Sequence, residues 1–385
     1  MDSLFTIFAV TLFVTGVVYV REITRFIKGL SKLAPGINTQ QYSVVVLVPA
    51  RNEERHIQAC VNSLLQQDYP KDKYRIIVID DQSTDGTAEV VRRLAQEHSK
   101  QLALLSATER PAGVSPKINA LQYGIRESAD DLVFTTDADC QVSSRWISSS
   151  MKYFETNVGV VTGTTLYQNS NATPPQLFGI QFLDFLSHTA CAAGAIGNGK
   201  VNNCNGSNMA FRRSAYDEIG GYGSLAHLNC GDDSLLAQKI AATSRWKVRF
   251  SLDKSSFVTT APASSWSELF HQRMRWASQT ADYHPDTLVF LISSFLYYLA
   301  LTAVFLGSLF HFQWIAFFVI AYVPKLLVDY IILKKFTSFS GTEHLMKFYP
   351  EAAVVHIPII LFAVFGGFFG RFKWKDRVTK RRSTL

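Results

Sequence analysis

YSVVVLVPARNEE, residues 42–54, runs through five consecutive aliphatic residues, Val44 to Val48, and stops at Pro49. An unbroken β-branched run of this length, ended by proline and a polar cluster, is the pattern of a strand buried on both faces that opens into a loop. YRIIVIDDQSTDGT, residues 74–87, repeats the device. Two further short apolar runs follow, LALLSA (102–107) and DLVFTTDADC (131–140). Between the runs lie segments of helical spacing: HIQACVNSLLQQ, with Ile57, Val61, Leu64 and Leu65 on one face; AEVVRRLAQEH, capped from Thr84 or Asp85; and KINALQYGIRES. Strands alternating with helices predict an α/β domain with a parallel, doubly wound sheet, whose ligands gather outside the carboxyl ends of the strands. Three of those ends carry polar clusters, ARNEE, DDQSTD and DADC.

Outward from this region the composition changes. Of 385 residues 48% are hydrophobic and the mean hydropathy is +0.08, above the usual soluble range. Residues 3–20 carry no charge and are followed by Arg21, Arg25, Lys28 and Lys32, the pattern of an anchor with a cytoplasmic basic flank rather than of a cleaved signal peptide. Residues 288–310, 312–328 and 352–370 are three more apolar segments of spanning length. The expected organisation is an N-terminal anchor at 1–22, a catalytic α/β domain at 43–260, interfacial helices at 261–285, membrane segments at 286–372 and a basic tail at 373–385. Three C-terminal crossings would carry that tail, which with Arg371 has seven Lys/Arg against one Asp, to the side opposite Arg21–Lys32. This conflicts with the positive-inside tendency, so Pro358 and Gly366–Gly367 are expected to make the last segment re-entrant or interfacial. The net charge of +7 crowds the membrane flanks, which suits anionic lipid rather than nucleic acid. The five cysteines, Cys60, Cys140, Cys191, Cys204 and Cys230, show neither zinc-site nor disulfide spacing.

Within the α/β region, Asp137 and Asp139 stand at i and i+2. In a strand they would project together while Ala138 faces away. Two carboxylates so placed suit Mg²⁺ or Mn²⁺ shared with substrate phosphates, although an isolated pair can equally cap a helix or shape a turn. Asp80 and Asp81 end another strand, where a carboxylate can accept from a base or ribose; Asp85 and Gly86 read as helix entry. No GxGxxG opens the first strand–helix turn, which disfavours a dinucleotide oxidoreductase. GAIGNGK, 194–200, nearly matches a phosphate loop, but Val201 replaces the Ser/Thr and no buried strand precedes it, so a flexible glycine-rich loop is expected. Asp232 and Asp233 in GDDSLLAQKI fit a helix cap as well as chemistry, and QRMRW fits a basic strip at a bilayer surface.

Taken together, VVLVPARNEE, VIDDQSTDGT, the lysine of SPKINALQYGI, TTDADC, NGSNMAFRRSAYDEIGGYG, GDDSLLAQKI and QRMRW, in this order, resemble the family 2 glycosyltransferases of GT-A fold. The likeness is to the membrane-embedded branch with the D, D, D, QxxRW signature, and it covers about residues 43–283. The resemblance implies that Asp81 contacts the uracil of a UDP-sugar, with Pro49, Ala50, Glu53 and Asp80 lining the same nucleotide pocket. It implies that Lys117 lies near ribose and diphosphate, and that Asp137 and Asp139 bind metal (Mg²⁺ or Mn²⁺) and diphosphate. Asp233 would be the general base, with Asp232 beside it. Gln272, Arg275 and Trp276 would border an acceptor channel, Trp276 offering a face to a sugar ring. Asn205–Gly206–Ser207–Asn208 and Gly220–Gly221 would be acceptor-side loops. The implied function is inverting, metal-dependent transfer of a hexose or N-acetylhexosamine to a membrane lipid or short glycan, at the cytoplasmic face of the plasma membrane. The alternatives are a processive polysaccharide synthase or a catalytically silent sugar-nucleotide-binding subunit.

Overall fold

A computed structural model describes residues 3–168, 173–228, 231–243, 245–278, 282–370, 372–374 and 377–379; Cys230 and the end of the basic tail lie outside them. It divides into two compact units. One comprises Leu33–Ser170 and Gly199–Pro262, the other Met1–Lys32, Asn171–Asn198 and Ala263–Leu385.

The second unit begins with helix α1 (Ser3–Leu30). The first unit then supplies β1 (Val44–Ala50), α2 (Ile57–Leu65), β2 (Tyr74–Asp80), α3 (Thr87–Glu97), β3 (Leu102–Ser106), α4 (Pro116–Arg126) and β4 (Leu132–Thr135). These are the expected strands and helices. β1 pairs in parallel with β2 and β4, and β2 with β3. Val44 to Val48 are wholly buried, as a strand flanked on both faces requires. Beyond β4 come β5 (Gln141–Val142), α5 (Trp146–Met151), β6 (Val158–Thr162) and β7 (Thr165–Tyr167). After α6 (Pro175–Gly197), which belongs to the other unit, follow β8 (Met209–Arg212), α7 (Arg213–Glu218), α8 (Asp232–Ala241), β9 (Lys247–Phe250) and β10 (Val258–Thr260). The main sheet has the order β3-β2-β1-β4-β8-β6-β9, with β8 antiparallel to both neighbours; β5, β10 and β7 form a smaller sheet. The fold is α/β with a mainly parallel sheet, and β8 starts directly after Asn205–Asn208.

The loops at the carboxyl ends of β1 and β2 are knitted together. Asn52 and Gln82 both take the left-handed conformation, with φ of 50° and 57°. Thr84 N donates to Asn52 Oδ1 at 2.9 Å, and Glu53 N to Thr87 Oγ1 at 2.8 Å. Asp85 serves helix entry as expected, its carboxylate accepting from Thr87 N at 3.0 Å, although α3 itself starts at Thr87.

The other unit contains α1, α6, α9 (Trp266–Ala277), α10 (Pro285–Ser308), α11 (Trp314–Ser340) and α12 (Tyr349–Phe369), with a hairpin of β11 (Phe372–Trp374) and β12 (Arg377–Thr379). Among the described residues four helices are long and apolar enough to cross a membrane, Phe5–Leu30, Pro285–Ser308, Trp314–Ser340 and Glu343–Phe369. The last apolar segment is one continuous helix through Pro358 and Gly366–Gly367, and its glycines serve contact: a Cβ on Gly367 would stand 2.6 Å from Met274 O of α9. One expectation changes here. GAIGNGK is no loop at its start, because Gly194 to Gly197 finish α6. A Cβ on Gly194 would meet Phe26 O at 2.4 Å and one on Gly197 would meet Gly29 O at 2.0 Å, so these glycines let α6 cross α1 backbone to backbone. A helix, not a strand, leads into them, which excludes the phosphate loop.

Buried polar groups tie this unit together. Lys325 Nζ bonds Asp329 at 2.7 Å, Tyr19 Oη donates to Asp329 at 2.8 Å, and Tyr298 Oη donates to Tyr19 Oη at 3.1 Å. Charges at membrane depth are costly unless paired in this way.

Candidate active site

The strand ends of the first unit border a pocket lined by Pro49, Lys117, Leu121, Thr135, Thr136, Asp137, Gly206, Met209, Phe211, Tyr222, Asp232 and Asp233. Five residues expected from the sequence meet here: Pro49, Lys117, Asp137, Asp232 and Asp233. Ala50, Asp80 and Asp81 lie beside it at the ends of β1 and β2, where Asp81 N bonds Ala50 O at 2.8 Å and Arg51 Nη1 donates to Asp81 O at 2.6 Å. Glu53 is buried and paired with His56 Nδ1 at 2.9 Å.

Asp137 and Asp139 do not occupy a strand. β4 ends at Thr135, and Cys140 N bonds Asp137 O at 3.0 Å, so the pair sits on a turn. The turn brings their carboxylates together by a route other than strand alternation: one oxygen of each and the Cys140 sulfur lie within 4.8 Å of one another. Burial, and then the two aspartates, hold the Cys140 thiol well above its ordinary value, leaving a pair of oxygen donors. Hard carboxylate oxygens suit Mg²⁺ or Mn²⁺. The buried Thr136 hydroxyl, without a hydrogen-bond partner among the described residues, lines the same pocket. The residues therefore fit a hard divalent cation carried with a diphosphate.

Lys117 is placed by the start of α4, where Ser115 caps the helix and Pro116 opens it. Its Nζ bonds Asp137 Oδ1 at 3.0 Å. Burial alone would lower the ammonium, but the carboxylates of Asp137, Asp232 and Asp233 outweigh it and hold Lys117 above the ordinary lysine value. It is a fixed positive charge among three acids.

Asp232 and Asp233 are the first residues of α8, after Gly231 at φ 75°. Asp233 Oδ1 accepts from Ser234 N at 2.7 Å and Oδ2 from Gly206 N. A Cβ on Gly206 would stand 2.8 Å from Asp233 Oδ2, so only glycine lets that backbone N–H approach. Burial, then the neighbouring Asp232 carboxylate, push the Asp233 carboxyl up to about 6, against the pull of Lys117 and of the two backbone N–H groups. A carboxylate titrating there can take up a proton near neutral pH. The backbone N–H contacts at the start of α8 fall on Asp233, and Gly231 is the residue that precedes the helix.

Asn208 is also reassigned. Its side chain accepts from Trp146 Nε1 at 3.0 Å and donates to Thr164 O and Ser256 O, each at 2.9 Å. It is 4% exposed, a scaffold knot rather than an acceptor contact. Asn208→Ala would strand three buried partners at roughly 1–3 kcal/mol each before relaxation. We expect a loss of about 3 kcal/mol, read as a lower unfolding temperature of the full chain in detergent.

A sequence profile of glycosyl transferase family 21 matches residues 7–367. The chain belongs to that family. The broad expectation of a GT-A-type glycosyltransferase holds, with family 21 as the matching family. The beta-monoglucosyldiacylglycerol synthase of Nostoc sp. is 28% identical over 241 residues, 61% of this chain and 48% of that protein. The poly-beta-1,6-N-acetyl-D-glucosamine synthase of Staphylococcus epidermidis is 24% identical over 255 residues, 64% and 57% of the two chains. The chain thus spans about half the length of the curated relatives it matches. Mannosyltransferase PcManGT from Pyrobaculum calidifontis, solved in complex with GDP-Man and Mn²⁺, shares the fold, with a TM-score of 0.57 at 22% identity, covering 92% of this chain and 99% of that one.

Gln272, Arg275 and Trp276 lie on α9, in the other unit. Arg273, between them and absent from the expected set, is a buried charge: its guanidinium lies 4.2 Å from the Trp276 ring centre and donates to Gln272 Oε1. The expected open face of Trp276 is thus partly taken by Arg273. Sequence reasoning also passed over Tyr222, Met209, Phe211, Leu121, Thr135 and Thr136. Only the two threonines carried a signal, as hydroxyls directly before the aspartate pair; the others are apolar or turn residues that nothing local distinguishes.

Proposed function

We propose that this family 21 member transfers a hexose or N-acetylhexosamine, with inversion, from a UDP-sugar to a membrane lipid or short glycan at the cytoplasmic face of a membrane. The observation that carries the reading is the pocket in which Lys117 stands among Asp137, Asp232 and Asp233, with the Asp233 carboxyl raised to about 6. Inverting transfer needs a base for the acceptor hydroxyl and positive charge for the departing diphosphate. Asp233 takes the hydroxyl proton as that oxygen attacks the anomeric carbon. Lys117 draws the diphosphate charge as the anomeric bond breaks. Asp137 and Asp139 would hold Mg²⁺ or Mn²⁺, which when bound neutralises the leaving diphosphate. Asp81, with Pro49, Ala50, Glu53 and Asp80, would receive the nucleoside.

A lipid or short-glycan acceptor is supported by the four helices able to reach a bilayer and by the relatives named for a glucosyldiacylglycerol product. The test is release of UDP from a panel of UDP-sugars, with GDP-mannose as the competing donor, by membranes carrying the chain with and without Mn²⁺ or Mg²⁺. Mass spectrometry of the lipid extract follows. Metal-dependent UDP release with a new glycolipid is expected. GDP release alone would reassign the nucleoside site, and no release from any donor would favour a silent binding subunit.

A further inference from the structure

Asp184, midway along α6, is 5% exposed and is the one acidic residue of that helix, and the reaction just described does not use it. Its Oδ2 accepts from Arg273 Nε at 2.7 Å and lies the same distance from Nη2. Its Oδ1 faces His356 Nδ1 of α12 at 3.1 Å and His188 Nε2 at 4.0 Å. The guanidinium so held is the one that lies over Trp276 and donates to Gln272 Oε1. With Nε bonded to Oδ2 and Nη2 at the same distance from that one oxygen, the guanidinium is tied on one side, and with it the direction of Nη1 and the face offered to an aromatic ring. A buried ion pair by itself is weak support for stability, and an apolar pair of equal volume would fill the space as well. What such a pair supplies here is the geometry of two further side chains.

We propose that Asp184 is a positioning residue for α9: through Arg273 it fixes Gln272 and Trp276 in the orientation that receives the hydroxyl-bearing acceptor. His356 steadies its other oxygen. The acceptor part of this statement rests on the proposed function; the positioning part does not.

The test uses the full chain in lipid nanodiscs, labelled with 5-fluorotryptophan, with Trp276→Phe to assign the Trp276 resonance and Trp146 as the internal control. Asp184→Asn is expected to shift the Trp276 fluorine signal and leave that of Trp146 in place, because an amide oxygen carries no charge to hold the guanidinium. Asp184→Glu, which restores the carboxylate, is expected to recover much of the original position. Should Asp184→Asn fail to fold, Arg273→Lys serves instead, since it keeps the ion pair but removes the planar fork, and it should give the same shift. Manganese-dependent binding of UDP should stay within about twofold in every variant. Turnover with a membrane lipid extract should fall at least tenfold in Asp184→Asn and Arg273→Lys and recover in Asp184→Glu. A Trp276 signal unmoved in both variants would overturn the positioning role. Full turnover in Trp276→Phe would overturn the acceptor reading of α9 and leave the positioning contact standing.

Discussion

Asp233→Asn is expected to lower kcat by about 10³-fold, within the 10²–10⁴ range that a positioned general base contributes, while UDP binding stays within threefold. The amide matches the carboxylate in volume but cannot take a proton. It can also accept only one of the two backbone N–H groups, from Ser234 and Gly206, that the carboxylate now receives. A fall in unfolding temperature should therefore accompany the kinetic loss, and UDP titration separates the two effects. The pH dependence has a definite sign. The base works ionised, and its carboxyl is raised to about 6 by burial and Asp232. The wild-type kcat/KM should be flat above that pH and fall tenfold per unit below it, and the residual activity of Asp233→Asn should lack this limb. Retained turnover in the variant, or an acid limb near the ordinary carboxylate value, would remove Asp233 from the role.

Asp139→Asn is expected to abolish manganese-dependent binding of UDP. Loss of a ligand carboxylate should exceed the roughly 10–100-fold carried by outer-sphere partners. Metal-free UDP binding should change little, since Asp81 and the loops of β1 and β2 are untouched. Ala138→Gly, in the same turn, should leave binding within threefold: the side chain is a buried methyl in the hydrophobic core and offers no ligand atom. Titration of Mn²⁺ against the UDP complex by calorimetry decides both. Equal loss in the two variants would mean that turn geometry, not ligation, is what matters.

What was readable from the sequence is what is encoded within a few residues. The runs at 44–50 and 74–80, the helical spacing of 57–65 and the apolar lengths of the membrane helices each follow from local periodicity, and each appears in the fold. The strand-end rule gathered the clusters after Pro49, at Asp80 and at Asp137, because a parallel sheet collects its carboxyl ends on one edge; Lys117, Asp232 and Asp233 joined them only through the family resemblance. What only the tertiary structure decided involves residues far apart in the chain. Asn208 becomes a scaffold knot because Trp146, 62 positions earlier, donates to it. Arg273 becomes a buried charge because Asp184, 89 positions earlier, meets it. α6 reads locally as part of the α/β domain, yet its glycines and Asp184 seat it among the membrane-side helices. Likewise the aspartates of TTDADC converge through a turn and not a strand. Periodicity fixes which face of an element is apolar, whereas burial and charge pairing depend on which other element arrives against it.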